Sequence, residues 1–177
     1  MVKMTCLFIC LSLNLSSCDE KKSKDTKTVV SDNSEVTTYY LIRHAEKDRT
    51  DPSNDNPHLN EQGKERAIKW LQVLADVDFD AVYSTDFNRT RETAQPLASK
   101  NNLQTIIYDA NNSYNEDFKM ETQGKTVLIV GHSNTTPAFV NAILGENKYP
   151  DLDDNNNAAL FKVTVKDGKA TSQLTQY

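Results

Sequence analysis

Short apolar runs alternate with segments of helical periodicity along this chain, and that alternation leaves few architectures open. Residues 39–42, 79–84, 105–108 and 125–130 read as strands. The last, KTVLIV, is the most hydrophobic and is expected at the centre of a sheet. A helix is expected from Asn60, a good N-cap, to about Asp76, burying Ala67, Trp70, Leu71 and Leu74. A second is expected from Phe87 to Lys100, bent or divided at Pro96. A weaker helix over 115–122 and another over Thr135–Leu144 follow. ALFKVTV, then Asp167-Gly168, then KATSQLT reads as a closing hairpin. The expected fold is α/β: a three-layer sandwich with a mostly parallel central sheet, helices on both faces and a C-terminal hairpin.

The N-terminal region is of another kind. All three cysteines, Cys6, Cys10 and Cys18, lie within the first eighteen residues. Residues 6–15 are apolar but too short to span a bilayer, and LSSC follows at 15–18. The pattern resembles a bacterial lipoprotein signal over 1–18, with Cys18 the lipidated residue. Residues 19–35 are polar and charged and are expected to form a flexible tether. The globular domain is then expected over 36–177. This reading puts the protein in the cell envelope, held to a membrane through its lipid.

Composition narrows the function. The domain has no cysteine, so thiolate chemistry and disulfides are excluded there. A net charge of −5 with no basic cluster argues against nucleic acid as a partner. The GKT at 124–126 is not a P-loop, because Lys119 stands where that motif needs glycine and a strand follows.

In parallel sheets ligands bind beyond the carboxyl ends of the strands. Those ends carry Arg43-His44-Ala45-Glu46, Ser84-Thr85-Asp86 with Arg89 soon after, and Gly131-His132-Ser133-Asn134. Each residue alone has an ordinary structural explanation. Two imidazoles and two guanidiniums on one rim repel when protonated, and the arrangement becomes favourable around a multiply charged anion. Arginine's planar donors suit phosphoryl oxygens. The residues therefore point to a phosphate pocket containing histidine.

LIRHAEK, YSTDFNRTRETAQPLA and VLIVGHSNTTP, in this order, resemble the histidine phosphatase (phosphoglycerate mutase-like) family. The resemblance runs from about Tyr39 to Leu144. Ala45 departs from it, since many members carry glycine there. The resemblance implies that His44 is the nucleophile and forms a phosphohistidine. It implies that Arg43, Arg89 and His132 hold the phosphoryl oxygens, with no metal or other cofactor. The acid that protonates the leaving group stays open among Asp109, Glu116 and Glu46, Asp109 foremost. Ser133 and Asn134 are expected to cap a helix, Ser84 and Thr85 to cap a strand end or touch substrate, and His58 to lie at the surface.

The leading expectation is a phosphatase acting on a small phosphorylated substrate. Two alternatives remain, a phospho-ligand-binding lipoprotein without turnover and, less favoured because the domain is short, a mutase-type phosphotransferase. A metal hydrolase built on His44, His132 and a carboxylate is a weaker third. The sequence leaves oligomeric state and substrate open.

Overall fold

The computed structural model describes residues 35–177. The expected signal segment with Cys18, and all of the tether but Glu35, lie outside the described residues. The elements are β1 (Thr37–Arg43), α1 (Glu61–Val73), β2 (Ala81–Ser84), α2 (Asn88–Lys100), β3 (Thr105–Ile107), α3 (Glu116–Thr122), β4 (Thr126–Gly131), α4 (Thr135–Leu144), β5 (Ala159–Lys166) and β6 (Lys169–Gln176). They build one six-stranded sheet in the order β3-β2-β4-β1-β5-β6. The first four in that order run parallel, and β5 and β6 are antiparallel.

Strand alternation divides the core into two layers. Val127 and Ile129 of β4 face one side, where Phe118 of α3 and Phe139, Val140 and Ile143 of α4 pack on them. Leu128 and Val130 face the other, against Trp70 and Leu74 of the α1 segment and Ala94, Leu97 and Ala98 of α2. β4 is buried on both faces, as its apolar run requires. The fold is thus the expected α/β sandwich, with a mixed sheet whose parallel strands form its larger part. The hairpin closes through Asp167 and Gly168, both at positive φ, the backbone that a tight two-residue turn demands.

Local chemistry explains the boundaries. Asn60 caps α1, its side-chain oxygen accepting from the Gly63 amide at 2.8 Å. Pro96 does not divide α2, which runs unbroken from Asn88 to Lys100. It removes one backbone donor, while Thr93, Ala94, Leu97 and Ala98 bury the face on either side and hold the helix together. Asn134 occupies the N-cap position of α4 but makes no side-chain cap bond. The Thr135 hydroxyl instead accepts from the His132 amide, just before the helix, at 2.9 Å.

Gly63 is required by close approach. A Cβ at this position would lie 2.1 Å from the carbonyl oxygen of Glu46. The first turn of α1 therefore sits directly on the segment that leaves β1, and a bridge between Lys47 and Leu59 pins the same segment from its other end.

Candidate active site

Register brings the site together. β1 pairs with β4 so that Arg43 stands opposite Gly131, and the next residues along are His44 and His132. The amide of His44 donates to the Gly131 carbonyl at 2.9 Å. β2 joins on the far side of β4, Ser84 opposite Val130, which brings Thr85 to the same rim. The imidazole centroids of His44 and His132 are 5.4 Å apart at 66°. Arg89 enters from the first turn of α2. Its guanidinium lies over the Phe87 ring at 4.4 Å, and that ring meets His132 edge-on at 5.0 Å. Two histidines and two arginines, separated by up to 89 positions in the chain, thus share one pocket.

Two members of the cluster are buried, and Arg89 and His132 are half-buried. Arg43 is 1% exposed and His44 4%. Burial first, then the charges of Arg43, His132 and Arg89, push the His44 imidazole down to about 3, against the pull of its bond to the Ala45 carbonyl. Burial and the charges of Arg89, Arg43 and Lys47 push His132 down to about 4. Both rings are neutral at pH 7. Nδ1 of His44 lies 2.7 Å from the Ala45 carbonyl oxygen, which can only accept, so this nitrogen carries the proton. Nε2 is left as the basic nitrogen.

The guanidiniums are fixed by the loops. Arg43 donates to the Asp153 carbonyl at 2.9 Å and pairs with the Asp154 carboxylate at 2.7 Å. Arg89 donates to the Asp55 carbonyl at 3.3 Å. Among the described residues, the Nε–H of both arginines is buried without an acceptor. A buried donor without a partner costs about 1–3 kcal/mol, and more when charged. Two such donors beside two neutral imidazoles form a setting that an oxyanion would complete.

Several residues that hold this arrangement had no role in the sequence reading. The Thr93 hydroxyl accepts from the Ala45 amide at 2.9 Å and donates to the Arg89 carbonyl at 2.6 Å, tying the segment after β1 to the first turn of α2. It lies within YSTDFNRTRETAQPLA, the second segment of the resemblance, which was its only signal. Asn157 is buried and donates to the His44 carbonyl at 2.7 Å, from 113 residues away. Nothing in its Asn-rich surroundings marks it. Thr85 lies 2.9 Å from His132 Nε2, so the strand-end residue engages the second histidine. Ser84 instead donates to the Thr85 carbonyl and is fully buried.

Each candidate acid has a partner of its own. Asp109 is exposed just past β3, and its carboxylate accepts from the Asn111 amide at 2.9 Å. Glu116 pairs with Lys119 at the surface. Glu46 receives Arg66 Nε on both oxygens, at 2.8 and 3.0 Å. His58, exposed as expected, pairs with Glu92.

No curated protein matches the sequence significantly. The model of the histidine phosphatase superfamily (branch 1) matches residues 39–111, which include Arg43, His44 and Arg89. Solved structures agree in fold. The alpha-ribazole phosphatase from Shigella flexneri superposes with a TM-score of 0.60 at 16% identity, over 79% of this chain and 96% of its own. The phosphoglycerate mutase from Bacillus anthracis gives 0.61 at 18%, over 80% and 93%. The protein histidine phosphatase SixA, complexed with tungstate, gives 0.62 at 17%, over 78% and 96%. Over residues 39–111 the sequence is thus similar to the histidine phosphatase superfamily, and the described domain shares its fold with these solved structures.

Proposed function

We propose that the protein is a phosphatase that hydrolyses phosphate monoesters through a phosphohistidine on His44. The observation that carries this is the His44 ring. Its Nδ1–H is committed to the Ala45 carbonyl, and burial among cations keeps Nε2 unprotonated at neutral pH. Nε2 attacks phosphorus, the N–P bond forms, and the ester P–O bond breaks with its electron pair leaving on the alcohol oxygen. Water then attacks the phosphohistidine, releasing phosphate and returning the lone pair to Nε2. Arg43, Arg89 and His132 stabilise the charge on the three phosphoryl oxygens, a role met elsewhere by a metal ion. Asp109 supplies the leaving-group proton in this reading. It stands past β3, at the same carboxyl edge of the sheet, and unlike Glu116 and Glu46 it forms no salt bridge among the described residues.

The activity is tested by phosphate release from an aryl phosphate in excess chelator. Wild-type protein should turn over and His44→Ala should fall by at least about 10³-fold. Equal rates would remove His44 from the chemistry. Phosphorylated ligands that bind without being hydrolysed would favour a binding protein.

We further propose that the domain, residues 36–177, is carried on a lipid anchor at Cys18 in the cell envelope. The apolar segment ending in LSSC and the polar stretch after it support this. Cys18→Ser should abolish partitioning into detergent, and unchanged partitioning and mass would refute lipidation.

A further inference from the structure

A cavity of about 620 Å³ opens beside the phosphoryl pocket. Its wall includes Asn157, which donates to the His44 carbonyl, and Asp154, which binds Arg43. Through these two residues it adjoins the pocket of His44 and Arg43.

Three carboxylates line this cavity, and each is already engaged. Glu46 holds Arg66, Asp48 accepts from the amide and hydroxyl of Thr50, and Asp154 bridges Arg43 and Arg49 at 2.7 and 2.8 Å. Lys47 differs. Its backbone is fixed by the bridge to Leu59 and by the Asn60 amide on its carbonyl, yet among the described residues its ammonium forms no ion pair. Partial burial and the charges of Arg89, Arg49 and Arg43 hold that ammonium below the usual lysine range, with Asp154 opposing them. The Lys47 charge in turn depresses His132. Lys47 is thus the cavity-lining cation left without an ion pair among the described residues, with arginine charges close enough to depress it. Such a placement is relieved by a second anion.

We propose that this cavity is a subsite for a second anionic group on the substrate, a carboxylate or a second phosphoryl on the leaving-group side, held by Lys47 and Arg49. Arg49 is half exposed on its bond to Asp154 and can offer its remaining donors to the ligand. The inference rests on the phosphatase reading only for where the first phosphoryl sits.

The test is calorimetric binding to the full chain of three non-hydrolysable probes: 3-carboxyphenylphosphonate, its carboxyl methyl ester, and 1,3-phenylene bisphosphonate. At least one doubly anionic probe should bind about tenfold tighter than the ester, the size of one charge-assisted hydrogen bond. Lys47→Gln should erase that preference and Lys47→Arg should retain it. Preference for the carboxylate or for the bisphosphonate identifies which group the subsite takes. Equal binding of all three, no binding of any, or a preference that survives Lys47→Gln overturns the proposal. Turnover of 3-(methoxycarbonyl)phenyl phosphate reads the phosphatase assignment separately.

Discussion

Nδ1 of His44 donates to the carbonyl oxygen of Ala45, its own neighbour, at 2.7 Å. This bond needs no distant partner, so the segment that delivers the histidine also selects its tautomer. The neutral ring then persists well below the ordinary histidine range, to about 3. The acid limb of kcat/KM should therefore follow the substrate, whose second phosphate ionisation lies near about 6. Substrates with lower second ionisations should shift the limb downward with them. A limb near about 6.5 that ignores the substrate would show His44 itself titrating.

Folding stability should carry the same signature. His44 and His132 are held at about 3 and about 4 in the folded chain, below the ordinary value of about 6.5 they regain on unfolding. Between those values the unfolded chain binds more protons, so stability falls as pH is lowered through that window. Urea midpoints at pH 7.5 and pH 5 should differ in that direction. A His44→Asn, His132→Asn double variant should show a flatter dependence, and an identical slope would assign the effect to other groups.

Arg89 reaches the pocket from α2 across the Phe87 ring, with a buried Nε–H. Arg89→Ala should lower kcat by roughly 10²–10³, as for the loss of one transition-state donor. It should also remove most of the thermal stabilisation given by an oxyanion such as orthovanadate. Full activity in this variant would separate Arg89 from the phosphoryl.

Thr93 tests how the segment after β1 and the first turn of α2 are coupled. Thr93→Val keeps the shape but leaves the buried Ala45 amide without an acceptor, a loss of about 1–3 kcal/mol. Activity should fall more than stability explains, because the His44 segment and Arg89 lose their common tie, and Thr93→Ser should restore both. Wild-type kinetics in Thr93→Val would make the bond purely structural.

Gly63→Ala would drive a Cβ to 2.1 Å from the Glu46 carbonyl, and backbone cannot swing aside as a side chain can. A loss of about 2–3 kcal/mol is expected, lowering Tm by roughly 8 °C. An unchanged melting curve would mean that α1 can retreat from the β1 exit without cost.

Much of this molecule was legible in the chain because its signals are local. Apolar runs of strand length, the Asn60 cap and the Asp167-Gly168 turn each specify their element within a few residues. Arg43, His44, Arg89 and His132 stood out because parallel strands expose their carboxyl ends and residues there gather on one rim. That α2 runs undivided through Pro96 was not legible, because the cost of a lost helix bond is local, whereas the buried face that outweighs it comes from packing against the sheet.

What the sequence determined by itself was the element order, the sheet's burial pattern and the identity of the charged groups at its rim, all set by short-range periodicity and backbone preference. Only the tertiary structure decided that Asp154 takes Arg43, that Asn157 supports His44, and that Lys47 lines a cavity without an ion pair among the described residues. Those relations depend on strand register and on loops that close over 100 residues or more of chain, and distance in space across such loops has no counterpart in the local pattern of residues.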